Sequence, residues 1–452
     1  MPDALRPNLI LINCDDLGYG DLGCYGSPVN RTPALDRLAT EGMRFTDFYM
    51  AAPVCSPSRG AMLTGCYPRR IGFGSFDNGA WVLRPGFATG LNTSEITIAG
   101  LLKTRGYETK LVGKWHCGDQ PEFLPTRHGF DSFYGLPYSN DMGRQPPREH
   151  WPPLPLLRDE EVIQQQPDQA GLTERYTEEC VRFLRQPRRE PFFLYLAHMY
   201  VHLPIYVQER FLRESENGPY GAAVATIDWS TGVIMHELRR LGLEDNTLVI
   251  FTSDNGSHGG RGGSSNLPLR GGKGNTWEGG MRLPCIMRWP GVISAGSTCR
   301  EVAASLDFLP TFAGLAGART PDDRIIDGKD IRPLLLQETG ARSPHEAFYY
   351  YRCDVLQAVR AGQWKLCVAR DDQPLIELYD LERDPGETEN VAERHPDIVR
   401  RLERYIDAAR EDLGDAGTGA AGANCRVPGW VDNPRPLTEF DESYPYARAL
   451  YD

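Results

Sequence analysis

Pro7–Asp16 reads PNLILINCDD. A short, unbroken apolar run that ends in paired acids has the pattern of a strand buried on both faces, with chemistry at its carboxyl end. The same texture recurs along the chain. ETKLVGKWH (108–116), PFFLYLAHM (191–199) and NTLVIFTSDNG (246–256) each end in polar or ionisable residues. Between these runs lie segments of helical period: TPALDRLATEGMRF behind Thr32, SEITIAGLLKTRG closed by Gly106, LTERYTEECVRFLRQ, and GAAVATIDWSTGVIMHELRRLG. Strands alternating with helices predict an α/β fold with a large, mixed, mostly parallel sheet sandwiched by helices. Ligands bind such sheets at the strand carboxyl edge. Asp15, Asp16, Lys114, His116, His202, Asp254 and Asn255 are therefore predicted to converge there.

Residues 119–170 are rich in Pro and Arg and lack periodicity, so they read as a long ordered loop on the site face. From about residue 345 the texture changes to short alternating runs, HEAFYYYR, LQAVRAGQWKLCVA and LIELYDLERDP, followed by the helical HPDIVRRLERYIDAAREDL. The expected division is a catalytic α/β domain over 1–340, a C-terminal α+β subdomain with a short antiparallel sheet over 341–413, and an extended tail over 414–452. The tail's spaced aromatics read either as an arm on its own domain or as a contact to a second subunit, giving a homo-oligomer.

The chain has 452 residues and a formal net charge of −12. That balance argues against nucleic acid or an acidic membrane surface as the main partner, and an anionic substrate would need a local basic cluster. Only 6 lysines stand beside 43 arginines, so Lys114 and Lys273, both in glycine-containing motifs, carry more information than usual. The 11 cysteines are scattered without CxxC or Cys/His ligand spacing, which points to free thiols in a reducing compartment. No positive, apolar leader precedes the first strand and no run of 18 apolar residues occurs. The expectation is a cytoplasmic protein with no membrane span, with a cleaved leader and periplasmic location as the alternative.

Two adjacent acids in CDDLGYGD and an acid plus an amide in TSDNG offer four hard oxygen donors, which suit Ca²⁺ or Mg²⁺ better than zinc. Taken singly, each would be read as a turn or a helix cap. Val54–Gly65, VCSPSRGAMLTG, raises a separate question about Cys55: buried thiol, metal ligand, thiolate nucleophile or precursor of something else. Ser56 reads as an N-cap and Pro57 as the first helical residue, which puts residue 55 beside free amides that favour an anion.

Taken together, CSPSRGAMLTG, VGKWHCG, TSDNG and GGKGNTWEGGMRLPCIMRWPG, in this order, resemble the type I, formylglycine-dependent sulfatases of the alkaline-phosphatase-like superfamily. GLPYSNDMG and DLERDPGETEN look closest to the arylsulfatase A and N-acetylgalactosamine-6-sulfatase branch. The resemblance implies that a formylglycine-generating enzyme reads Cys55, Pro57 and Arg59 and oxidises Cys55 to the aldehyde. In that family the hydrated aldehyde cleaves the S–O bond through a formylglycine-sulfate intermediate, and its second hydroxyl drives sulfate out. The resemblance further implies Asp15, Asp16, Asp254, Asn255 and residue 55 as ligands of Ca²⁺, or Mg²⁺. Arg59 would hold the formylglycine, Lys114 would bridge it to sulfate, and His116 would take the second hydroxyl's proton. His202 and Lys273 would contact the sulfate, one of them protonating the departing alcohol.

Ser139 aligns with a sulfate-contacting serine, or serves a turn. His198 reads as a supporting or core residue, His258 as a loop histidine or part of the substrate mouth, and Trp277 and Glu278 as structural. Cys117, where relatives often carry leucine, reads as a packing change. The implied activity is hydrolysis of sulfate monoesters, on a sulfated carbohydrate, with aryl sulfates as further substrates. Arg127, Arg144 and Arg148 could read carboxylates or sulfates on that sugar, or simply be solvated. The rivals are a phosphodiester or phosphonate monoester hydrolase on the same scaffold, and a catalytically silent protein that binds sulfated ligands.

Overall fold

The computed structural model describes residues 6–371 and 373–439. The opening run forms the strand Asn8–Cys14, with all seven residues buried. Its period of two divides it between two cores: Leu9 and Leu11 pack with Phe193, Leu248 and Ile250, while Ile10 and Ile12 pack with Leu194, Val249 and Phe251. Burial on both faces is why the run is continuous rather than alternating.

This strand lies inside an 11-stranded mixed sheet, flanked in parallel by Phe192–Ala197 on one side and Thr247–Ser253 on the other. Glu108–Lys114 pairs in parallel with Phe192–Ala197, and Ser132–Leu136 in parallel with Glu108–Lys114. Register keeps the carboxyl ends level: Asn13 stands opposite both Ala197 and Thr252, and Gly113 opposite Ala197. Arg282–Arg288 runs antiparallel beside Thr247–Ser253 and carries the sheet on to Met43–Tyr49. Helices cover both faces. Ile98–Lys103 and Phe308–Ala316 supply apolar residues to one core, and Pro33–Glu41, Leu172–Leu184 and Gly218–Arg240 to the other.

The late change of texture corresponds to a second sheet, four antiparallel strands from Phe348 to Asp380. The helix Pro396–Asp412 covers it with Leu402, Ile406 and Ala409. Tyr49, Ala61 and Met281 share the same apolar cluster, which seats this sheet against the flank of the larger one.

Three expectations need correction. Residues 119–170 are not a plain loop: Ser132–Leu136, Pro155–Arg158 and Glu161–Gln165 extend the main sheet to its edge. The helix begun at Pro33 stops at Glu41, and Met43–Tyr49 is a strand. The helix carrying the cysteine motif starts at Cys55 with Val54 as its cap, so Ser56 and Pro57 lie inside it.

The described tail, 414–439, lies on its own chain. Gly429–Trp430 pairs with Thr89–Gly90, and the Arg435 amide donates to Gln120 Oε1 at 3.0 Å. The tail's aromatics from Phe440 onward fall outside the described residues. No helix among the described residues is long and apolar enough to cross a membrane.

Candidate active site

Three of the parallel strands, Asn8–Cys14, Glu108–Lys114 and Thr247–Ser253, deliver their carboxyl-end residues to one place. Asp15, Asp16, Lys114, His116, Asp254 and Asn255 are at most 1% exposed there. Opposite them the helix Cys55–Thr64 begins with Cys55 in its first turn. It ends on Gly65, whose φ of +67° and amide bond to the Ala61 carbonyl close the last turn. The helix buries all ten of its residues, so Arg59, one turn on, points its guanidinium into the site rather than to water.

Ion pairs organise the centre. Arg59 Nε donates to Asp254 Oδ2 at 2.8 Å, and Arg59 Nη1 to the Lys114 carbonyl at 2.8 Å. Lys114 Nζ contacts Asp15 and lies 3.3 Å from Ser139 Oγ. Lys273, from the glycine-rich loop, sets Nζ 2.8 Å from Asp16 and 3.6 Å from Cys55 Sγ. The thiol in turn lies 3.4 Å from Asp15 Oδ1. His202 Nε2 and His258 Nε2 approach Asp16 at 3.8 and 3.2 Å. Asp16 and His116 hold φ of +61° and +60°, a left-handed backbone that non-glycine residues seldom adopt. Strain of that kind, over-determined by its surroundings, gathers at functional sites.

The electrostatics follow from burial and neighbours. Burial, reinforced by the Asp15 carboxylate, pushes the Cys55 thiol up, so it stays protonated at neutral pH and is a poor thiolate nucleophile. Burial alone would raise Asp15 and Asp16. Lys114 and His202 outweigh it at Asp15, and Lys273 and His202 at Asp16, so both fall below the ordinary carboxylate range. Burial and the neighbouring Asp15 lift Asp254 to about 6. His116 is held well below its usual value by burial and by Lys114, and His202 is lowered by burial and by Lys273.

The donor set suits a divalent cation. Asp15, Asp16, Cys55 and His202 each bring one ligand atom within 4.8 Å of the others. Asn255 donates through Nδ2 to Asp16 at 2.7 Å, leaving its buried Oδ1 without a hydrogen-bond partner. An orphaned amide oxygen beside two buried carboxylates is what a hard cation would satisfy.

A cavity of about 1250 Å³ opens above Cys55, lined by His116, Ser139, His202, His258 and Lys273 among others. Of the three arginines suggested by sequence, Arg148 lines it. Arg127 instead pairs with Glu160 at 2.8 Å, and Arg144 is not among the lining residues. His258 joins the wall. His198 is buried with both ring nitrogens unpartnered and is not among the lining residues either. Glu278 is a buried partner of Lys365 at 3.1 Å, and Trp277 lies between the guanidiniums of Arg270 and Arg370. Cys117 packs in the main core. Sequence reasoning missed Trp81, Arg84, Asp141 and Arg261, which also line the cavity. Asp141 lies in GLPYSNDMG, two residues past Ser139, so that stretch carried its signal, whereas Trp81, Arg84 and Arg261 stand in segments with neither period nor motif.

A mixed sheet with buried acids and a cationic clamp at its carboxyl edge matches what the sequence resemblance implied. Comparison with known proteins narrows this. The Sulfatase family profile matches residues 7–318, and that of the N-sulphoglucosamine sulphohydrolase C-terminal region matches 272–412. The chain is 37% identical to steryl-sulfatase of Mus musculus, covering 91% of this chain and 83% of the relative. It is 41% identical to arylsulfatase A of Homo sapiens, covering 89% and 87%. It is 42% identical to N-acetylgalactosamine-6-sulfatase of Rattus norvegicus, covering 79% and 71%. Among solved structures, Ps i-CgsB in complex with k-i-k-neocarrahexaose superposes with a TM-score of 0.79 at 32% identity, covering 89% of this chain and 92% of that one. The chain belongs to the sulfatase family and is a sulfuric ester hydrolase.

Proposed function

We propose that this sulfatase removes sulfate from a carbohydrate, and that residue 55 carries the nucleophile after conversion to formylglycine by a maturation enzyme. The observation that carries the reading is the placement of Cys55: in the first turn of a helix, at the floor of the cavity, between Asp15 and Lys273. A protonated thiol there is ill-suited to attack. The aldehyde hydrate would supply one hydroxyl to attack sulfur and a second to expel sulfate. Asp15, Asp16, Asp254, Asn255 and residue 55 would hold Ca²⁺, which when bound polarises the ester and acidifies the attacking hydroxyl.

The remaining roles belong to the chain's own side chains. Lys114, with Ser139 at 3.3 Å, and Lys273 place two ammonium groups around the sulfate oxygens. His116 Nε2 lies 3.0 Å from the Leu83 carbonyl. A carbonyl only accepts, so Nε2 carries the proton and the lone pair is on Nδ1, buried and unpartnered. Neutral at pH 7, that nitrogen is set to take a proton. Of the two groups assigned to the leaving oxygen, Lys273 is lowered by burial but raised overall by Asp16, whereas burial and Lys273 lower His202.

The roomy cavity and the likeness to N-acetylgalactosamine-6-sulfatase and to Ps i-CgsB support a carbohydrate substrate. A turnover screen of sulfated mono- and disaccharides beside 4-nitrophenyl sulfate tests it. Sugar substrates are expected to be turned over with the higher kcat/KM. Turnover of the aryl sulfate with none of the sugars would end the carbohydrate reading while leaving the sulfatase intact.

A further inference from the structure

Histidines aside, the cavity lining holds four cationic side chains, Arg84, Arg148, Arg261 and Lys273, against a single acid, Asp141. Lys273 is committed to the floor, and Arg148 is neutralised by Asp141 at 2.5 Å while its guanidinium lies 5.3 Å from the Trp151 ring centre. Arg84 and Arg261 come from different segments, and both are exposed. Neither has an ion pair among the described residues, although the chain carries an excess of acid and pairs arginines widely elsewhere. Trp81, 41% exposed and three residues before Arg84, lines the same cavity and offers it an apolar surface. Its indole packs against the loop that carries Lys273: a Cβ at Gly274 would lie 2.8 Å from Trp81 Cζ3, so glycine is what lets the ring come this close.

We propose that Trp81, Arg84 and Arg261 form a subsite for the sugar unit next to the one that bears the scissile sulfate. The indole stacks on that neighbouring ring, and the arginines take a carboxylate on it. An aromatic face and two guanidiniums without ion pairs among the described residues, lining one cavity, are complementary to a sugar that is apolar on one face and charged at its edge. The assignment rests on the carbohydrate reading above and extends it to a substrate carrying at least two negative charges.

The test uses sulfated hexosamine–uronate disaccharides and their uronate methyl esters, with 4-nitrophenyl sulfate as the non-sugar control. For each enzyme the quantity read is the ratio of kcat/KM for acid over ester, which does not depend on the fraction of protein correctly folded. In the wild type the ratio is expected to be roughly ten- to a hundred-fold, the worth of one charge-assisted contact. It should fall toward one in the Arg84→Gln/Arg261→Gln double variant. Trp81→Ala should raise KM for both sugars together. A wild-type ratio near one, or a ratio unmoved by the double variant, overturns the subsite while sugar turnover leaves the parent reading standing. If no disaccharide is turned over and 4-nitrophenyl sulfate is, both fall together.

Discussion

The buried pair Arg59–Asp254 offers a sharp physical prediction. Both side chains are fully buried and 2.8 Å apart, and Arg59 Nη2 also lies 3.5 Å from Asp15. Replacing Arg59 with Met preserves bulk but strips the Asp254 carboxylate of its paired counter-charge in a dry site, leaving only the more distant Lys114 to offset it. Breaking a buried pair from one side costs about 3–5 kcal/mol. Asp254 already titrates near 6 with Arg59 present, so its value should rise further in Arg59→Met. A carboxyl whose folded pKa is raised destabilises increasingly as pH climbs from the unfolded value through the folded one, so the penalty should be larger at pH 8 than at pH 5.5. Adding Asp254→Asn removes the stranded charge and should restore stability to within about 1.5 kcal/mol of the wild type, a coupling above about 2 kcal/mol. Activity should not return, because Lys114 has lost the guanidinium that holds its carbonyl. Urea unfolding in the presence of EDTA reads these differences without a bound cation. A single variant within about 1 kcal/mol of the wild type, or strict additivity of the two substitutions, would refute the argument.

His128 and His198 are buried with no hydrogen-bond partner on their ring nitrogens, and burial lowers them to about 4 and about 3. Their unfolded value is about 6.5, so unfolding takes up protons below that pH and stability should fall as pH drops from 6.5 toward 4, by up to about 1.4 kcal/mol per histidine per unit. His198→Gln should flatten that slope by about one proton in pH-dependent unfolding, and an unchanged slope would contradict it. Cys55, Ser56, Pro57 and Arg59 are all buried, so a maturation enzyme would need the unfolded segment. Adding such an enzyme to folded, unconverted protein should leave residue 55 a cysteine by peptide mass, and efficient conversion would contradict this. Asn255→Ala removes the orphaned amide oxygen and should weaken Ca²⁺ binding at least about tenfold by calorimetry, while equal affinity would remove Asn255 from the cation site.

The strand ends were legible in the sequence because burial on both faces writes itself as an unbroken apolar run that stops at a charge. Register then needed only parallel pairing to bring Asp15, Lys114 and Asp254 together. The strands at 132–165 were hidden because they are four or five residues long and embedded in Pro- and Arg-rich chain. The start of the cysteine helix was misplaced because Ser and Pro are strong N-terminal signals. Here Ser56 Oγ instead accepts from the Leu83 amide at 3.1 Å, tying the helix to a neighbouring loop. Part of the cavity wall was illegible for a different reason: Trp81, Arg84 and Arg261 reach it from segments whose course no periodicity encodes.

The central claim is that residue 55 acts as what it is converted into. The most direct measurement pairs the mass of the peptide spanning residue 55 with turnover of 4-nitrophenyl sulfate across preparations of differing conversion. Turnover per molecule should rise in proportion to the aldehyde fraction and vanish in Cys55→Ala. Full turnover in protein whose residue 55 is entirely cysteine, or in the alanine variant, would contradict the account.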